Sequence, residues 1–179
     1  MIARASRKMR AMQSTIATAA RIIVTGGTFD KRYDAIKGEL TFKETHLPAM
    51  LEQARVKLPL TTDIRLLIDS LHMTEAHRQS VLEACREAPE SAIVVIHGTD
   101  TMVQTAGVVG RAGLAKTVVF TGAMVPYSVQ GSDAEFNLGF ALAMAVALPA
   151  GSYVAMNARV FAWDDVQKDK QEGTFKTLR

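Results

Sequence analysis

Three apolar runs in this chain each end in a polar loop of similar make-up: VTGGTFD at residues 24–30, IDSLHMT at 68–74 and IHGTDTM at 96–102. Together they offer the hydroxyls of Thr25, Thr28, Ser70, Thr99 and Thr101 and the carboxylate of Asp100. Hydroxyls beside a single carboxylate suit nucleophilic attack on an acyl carbon without a metal. A threonine hydroxyl is a weak nucleophile at neutral pH and needs a neighbouring base or proton relay. Two residues could supply one: Tyr33, five residues after Thr28, and Lys168, in the polar C-terminal stretch. A lysine acts as a base only where its ammonium form is destabilised. By position alone, both residues also read as ordinary surface side chains.

Other chemistries fit less well. The Gly26–Gly27 pair after an apolar run can cradle phosphate, but the dinucleotide pattern needs a third glycine and a helix directly behind it. The charged, loop-like FDKRYDAIKGEL follows instead, and no Gly-Lys-Ser/Thr loop is present. Thr99 and Asp100 are also good helix-capping residues, a role compatible with lining a pocket. His97, at the end of an apolar run, reads as a packed, hydrogen-bonded histidine rather than a base. No Cys, His and carboxylate cluster has ligand spacing, so no metal site is expected.

The loops must be held by the elements around them. Residues 92–97, AIVVIH, form a continuous apolar run of the kind buried on both faces in a parallel sheet. Similar runs at 21–25, 64–69, 117–121 and 153–156 predict further strands. Helical spacing predicts helices at 47–56, 74–88, 101–112 and 133–148. Ser132 followed by Glu135 has capping-box spacing at the start of the last helix. The alternation predicts a single doubly wound α/β domain, its sheet mainly parallel with helices on both faces. In that architecture the three loops lie on one side, past the strand ends, where ligands bind. After Asn157 the chain turns polar and loses period, as a short extended piece followed by a functional or frayed tail.

With 179 residues, 48% of them hydrophobic, the chain is sized for one cored domain. Its formal charge of +3 is unevenly spread, since Arg4, Arg7, Lys8, Arg10 and Arg21 precede every acidic residue. Beyond Arg21 the balance is 16 basic to 18 acidic, or −2. That gives no reason to invoke nucleic acid. Residues 1–20 read as a basic, flexible extension, with residues 21–179 as the domain. No apolar stretch reaches membrane-spanning length, the most apolar being 140–148. Cys85 is the only cysteine, so no intrachain disulfide can form and a cytoplasmic setting is expected.

The TGGTF stretch at 25–29 and HGTDTM at 97–102 resemble the two signature motifs of the bacterial-type L-asparaginases. TGAMVPYS at 121–128, SDAEFNL at 132–138 and DDVQKDKQEGTFKT at 164–177 resemble further segments of that family, in the same order. The resemblance implies a cofactor-free hydrolysis of L-asparagine to L-aspartate and ammonia through a threonine acyl-enzyme. Thr28 would be the nucleophile and Tyr33 its partner on a closing loop, though closer to TGGT than in longer members. Thr99, Asp100 and Lys168 would form a proton-handling group. Substrate would be bound by Gly27, Ser70, Gly98, Thr99, Asp100 and Ala123, with Ser70 and Asp100 on its α-carboxylate and α-amino groups. At the position after Ser70, Leu71 stands where long members commonly carry glutamine. The resemblance covers the family's N-terminal domain and implies a short form. Apolar surface freed where a second domain would pack, and the nearly all-round apolar helix at 140–148, predict a homo-oligomer, dimer or tetramer. Two alternatives stay open: a non-catalytic amino-acid-binding module, and the amidase component of an amidotransferase.

Overall fold

The structure, a computed structural model, describes residues 16–178. Its main sheet contains β1 (Ala20–Gly26), β4 (Leu60–Ile68), β5 (Ala92–Ile96), β6 (Thr117–Thr121), β7 (Gly151–Met156) and β8 (Arg159–Ala162). They lie in the order β4-β1-β5-β6-β7-β8. All pairs are parallel except β7 with the edge strand β8, which folds straight back antiparallel. Two short antiparallel hairpins stand apart, β2 (Arg32–Asp34) with β3 (Glu39–Thr41) and β9 (Gln167–Asp169) with β10 (Thr174–Lys176).

Helices cover both faces, as expected of a doubly wound sheet. Side chains alternate along β1, so Ile22 and Val24 enter one core and Ile23 the other. The first core is closed by Leu47 and Met50 of α1 (Leu47–Gln53) and by Leu138, Ala141 and Leu142 of α4 (Ala134–Ala147). The second is closed by Val81, Leu82 and Cys85 of α2 (Glu75–Glu87) and by Met102, Ala106 and Val109 of α3 (Met102–Arg111). Every residue of β5 and β6 is buried. Ile22, Ile23, Ile93 and Ile96 are 0% exposed, and each such side chain contributes about 1.5–3 kcal/mol by leaving water. The Lys116 ammonium closes the C-terminal end of α2, donating to the carbonyls of Cys85 and Arg86 at 2.8 Å and to that of Ala88.

This strand order places the switch of winding direction between β1 and β5. From β1 the chain moves outward to β4, then crosses back over β1 to β5 and continues to β6 and β7. Ligands bind at such a point, past the strand ends. The two loops that flank it are Gly26–Gly27–Thr28 and Gly98–Thr99–Asp100.

Several local expectations are corrected. The 132–135 capping box does not form: α4 begins at Ala134 with Asp133 at its N-cap and no side-chain cap bond. Ser132 Oγ instead donates to Val125 O, and the Asp133 carboxylate is engaged by the Met124 and Val125 amides. A capping box forms elsewhere, between Thr74 and His77 at the start of α2. Thr99 and Asp100 cap no helix, since Thr101 is the N-cap of α3 and its hydroxyl donates to Ser70 O at 2.8 Å. The helix expected over 47–56 ends at Gln53, just before Arg55 turns to φ 50°. The strand expected over 64–69 runs from Leu60 to Ile68. The charged stretch after Phe29 and the polar tail each fold into a hairpin, because turns with Gly38 and Gly173 at positive φ reverse the chain. The helix that holds the apolar 140–148 stretch turns Ala141, Leu142 and Ala145 into the core, while Phe136, one turn before that stretch, is 58% exposed. Of the basic extension, residues 1–15 lie outside the described residues, and Ala20 already belongs to β1.

Candidate active site

The first loop is held by close backbone contact. Gly26 and Gly27 have φ of 93° and 78°. A Cβ on Gly26 would lie 2.7 Å from Ile68 N, and one on Gly27 only 2.3 Å from Gly98 Cα. The pair is therefore required both for its positive φ and for the contact that joins the two loops. Thr28 follows at the start of a 3₁₀ turn, partly exposed, its hydroxyl free of hydrogen bonds among the described residues. Behind it Asp30 is fully buried. Burial pushes its carboxyl up, against the Thr45 hydroxyl and His46 N–H that it accepts at 2.8 and 3.0 Å.

The second loop carries Ser70, 1% exposed, whose Oγ is buried without a hydrogen-bond partner. Ser70 lies against Gly98, where an added Cβ would come within 2.6 Å of its Oγ. An unpartnered buried hydroxyl beside a crevice is available to a ligand. Leu71, next to it, is 65% exposed.

The third loop meets a residue from far along the chain. Lys168, on β9, donates from Nζ to Thr99 Oγ1 at 2.7 Å and to Asp100 Oδ1 at 2.8 Å. Thr99 is 4% exposed, and the Lys168 side chain is mostly buried. The hairpin that presents Lys168 is anchored by Val166 and Phe175 in the core beneath α2 and α3, and Arg159 donates to Phe175 O at 3.0 Å. A fourth wall is Ala123, fully buried after β6. Its neighbour Gly122 packs so closely on the third loop that a Cβ there would sit 2.3 Å from His97 O. Asn137 Nδ2 holds the Gly122 carbonyl at 3.0 Å.

Gly27, Thr28, Ser70, Gly98, Thr99, Asp100, Ala123 and Lys168 thus all lie on the strand-end side of the sheet. No hydrogen bond joins the Tyr33 hydroxyl to them, or to any other group, among the described residues. Tyr33 sits on the β2–β3 hairpin opposite Leu40, 65% exposed. Thr25 and Thr101, grouped with the reactive hydroxyls by type, are structural: Thr25 Oγ1 donates to Ile96 O at 2.8 Å, and Thr101 to Ser70 O. Lys31 ties the first loop to the second through a 2.5 Å ion pair with Asp69. Although burial acts against it, that pair and the Leu71 N–H hold the Asp69 carboxyl below its ordinary range.

Two buried residues near the third loop escape a sequence reading. Arg78 sits in a charged helix among HRQS, where nothing separates it from solvated neighbours. Asn137 had a signal, a lone amide in an apolar helix. His97, by contrast, is as expected, 0% exposed with both ring nitrogens engaged. Burial pushes its imidazole down to about 4, with the Arg78 charge adding to the depression and the Gly98 carbonyl opposing it.

Comparison with known proteins agrees with this arrangement. The chain is 29% identical to L-asparaginase 1 of Escherichia coli over 164 residues, 85% of this chain and 48% of that protein. It therefore spans about half the length of that relative. A stretch of 146 residues, 76% of this chain, is 30% identical to a glutamyl-tRNA(Gln) amidotransferase subunit from Thermofilum pendens, covering 32% of that protein. In three dimensions it superposes on the thermostable L-asparaginase from Thermococcus kodakarensis with a TM-score of 0.79 and 27% identity, covering 89% of this chain and 51% of the other. Residues 20–177 match the family described as asparaginase, N-terminal, and the chain belongs to that family.

Proposed function

We propose that this protein hydrolyses L-asparagine to L-aspartate and ammonia through a threonine acyl-enzyme. The observation that carries the reading is Lys168 Nζ within 2.8 Å of both Thr99 Oγ1 and Asp100 Oδ1, on the loop that Gly27 locks beside Thr28. Thr28 Oγ attacks the side-chain amide carbon, and its proton is passed on to the amide nitrogen, with Tyr33 assisting the transfer once the β2–β3 hairpin closes. The amide nitrogen gains a proton and leaves as ammonia, so that an ester joins Thr28 to the aspartyl group. Water then attacks the ester carbon, and its proton passes through the Thr99–Lys168 group to Thr28 Oγ as the ester bond breaks, which restores the hydroxyl and releases aspartate. The free Ser70 hydroxyl and the Asp100 carboxylate suit the two charged ends of an amino acid, because a desolvated ammonium needs an anion. Main-chain groups of Gly98 and the Ala123 segment complete the substrate contacts, and Gly27 serves by its close backbone approach, its N–H donating to Ile68 O at 3.0 Å. No cofactor enters these steps.

A cytoplasmic setting and self-association as a dimer or tetramer belong to the same reading. The exposed Phe136, stacked on Phe140 at 6.4 Å along the outer side of α4, supports the latter. A second reading, an amidase component that hands ammonia to a partner, draws on the amidotransferase relative.

The test is ammonia release from L-asparagine, with D-asparagine and L-glutamine alongside and Thr28→Ala as control. The expected outcome is release that prefers L-asparagine and falls by at least about 10³-fold in the variant. Near-normal release by Thr28→Ala overturns the choice of nucleophile. Absence of release, with aspartate still raising Tm, favours a binding module, and release only in the presence of a partner protein favours the amidotransferase reading.

A further inference from the structure

Beneath the Gly98–Thr99–Asp100 loop runs a line of polar groups that the proposed steps leave unused. Arg78 of α2 is 7% exposed, a rare depth for a guanidinium. Its Nη1 donates to Thr105 Oγ1 at 3.0 Å and to Thr101 Oγ1 at 3.4 Å. Its Nη2 donates to Gln104 Oε1 at 2.8 Å and to Met73 O at 3.4 Å. The carboxylate that pairs with it among the described residues, Glu75, stands 4.0 Å away with a side chain 67% exposed. Neutral acceptors therefore hold this charge inside the protein. Thr105 Oγ1 lies 2.8 Å from His97 Nε2, and His97 Nδ1 lies 2.8 Å from Gly98 O.

The direction of each bond follows from what the groups can do. A carbonyl oxygen only accepts, so His97 Nδ1 carries the proton. In the neutral ring Nε2 must then accept, and the Thr105 hydroxyl donates to it. A guanidinium only donates, so the Thr105 oxygen also accepts from Arg78. Arg78, Thr105, His97 and the Gly98 carbonyl form one line with every donor aimed toward the loop.

Gly98 is the residue that needs such a hold. Ser70 leaves no room for a Cβ, with Ser70 Cβ and Oγ both 2.6 Å from where one would stand, so the position is confined to the residue with the greatest backbone freedom. A hydrogen bond to its carbonyl removes that freedom. The Gly98–Thr99 peptide is trans, which puts the Thr99 N–H on the opposite edge of the same plane, away from the buried His97 ring. A well-packed hydrophobic residue would fill the volume of Arg78 with less desolvation cost. The charge is better explained by the orientation that it enforces.

We propose that Arg78, Thr105 and His97 are positioning residues, a one-way hydrogen-bond line that sets the plane of the Gly98–Thr99 peptide and thereby aims Thr99 and Asp100 at the substrate. The catalytic part of this proposal rests on the hydrolytic reading above. The bond line itself does not.

Two measurements test it together. In ¹⁵N spectra of the wild-type protein, His97 is expected as the Nδ1-protonated neutral tautomer; an Nε2-protonated ring overturns the proposal whatever the activity. Thr105→Val keeps the side-chain shape and removes both hydroxyl roles, and Thr105→Ser restores them. The valine variant is expected to lose about 30-fold in kcat for ammonia release with KM within about twofold, and the serine variant to recover to within about threefold. Wild-type kcat in the valine variant, or equal losses in both, overturns it. Should the wild-type protein release no ammonia, the hydrolytic reading fails by itself. The aspartate-induced rise in Tm then replaces kcat, where loss with valine and return with serine support the line and an unchanged rise overturns it. Should the valine variant not fold, Arg78→Lys is read the same way against the wild-type tautomer, which still decides the geometry.

Discussion

The two halves of the candidate site are built on different principles. Thr99, Asp100 and Lys168 are joined by bonds of 2.7 and 2.8 Å, on a loop clamped by Gly27, Ser70 and Gly122 and on a hairpin anchored in the core. Tyr33 rides on a three-residue strand pair, 65% exposed, with Leu40 opposite it at 44% and Ile36 at its turn at 98%. An isolated two-stranded hairpin is only marginally stable in water. One half is already joined by hydrogen bonds, whereas under the hydrolytic reading Tyr33 has still to be brought to it. Rigid groups suit a proton relay, whereas a segment that must admit and release substrate belongs to the low-stability end of a fold.

The largest effect that would break this comparison concerns the rigid half. Lys168→Met removes the donor to both Thr99 and Asp100 while keeping most of the buried stem. It is expected to lower kcat for ammonia release about 10³-fold with an unchanged Tm to within a few degrees. Activity within about tenfold of wild type would mean that the preassembled group is structural.

The same half should also register acid. The His97 imidazole is pushed down to about 4 in the folded protein, against an ordinary value of 6.5. Between those values the unfolded chain binds a proton that the folded one refuses. Stability is therefore complete above about pH 6.5 and declines as pH falls toward 4, by up to about 3 kcal/mol from this residue. Denaturant midpoints at pH 7 and 4.5, read with an NMR titration of His97, check this. A ring that titrates near 6.5 would contradict the closed, dry setting beneath the third loop.

Tyr33→Phe probes the hairpin half. If the hairpin closes during turnover, loss of the hydroxyl should lower kcat about 10²-fold and leave Tm unchanged, since the exposed ring stabilises nothing. Wild-type kcat in this variant would confine the chemistry to the rigid half.

How much of this was legible in the sequence follows the same division. The strands, the parallel sheet and the loops at their ends were legible because buried strands need unbroken apolar runs, and AIVVI and TVVFT supply them. Thr99, Asp100 and Lys168 could be grouped by motif and by residue type. The hairpins were not legible: three-residue strands bury too little to leave an apolar period, and Tyr33 and Lys168 both sit on such strands. Arg78 was hidden for the opposite reason. Its burial depends on where α3 crosses α2, which is a tertiary fact that leaves no mark on HRQS. The mistaken capping box at Ser132 shows the limit of local spacing, because the neighbouring Asp133 carboxylate was claimed by amides of a preceding loop.

The smallest expected effect lies where the two halves join. Lys31, at the base of the β2–β3 hairpin, pairs with Asp69 beside Ser70, and its backbone carbonyl accepts from Ser128 Oγ at 2.9 Å. Both side chains of the pair are about one-fifth exposed, so solvent screens part of their attraction. Lys31→Met should cost about 1 kcal/mol, a fall of a few degrees in Tm. Its value lies in the kinetics. A tether that holds the hairpin in its working place should raise KM when cut, and a tether that merely parks it should leave KM unchanged or speed turnover. In the second case the geometry in which Tyr33 acts is not the one in which Lys31 meets Asp69, and the hairpin must leave that ion pair to close.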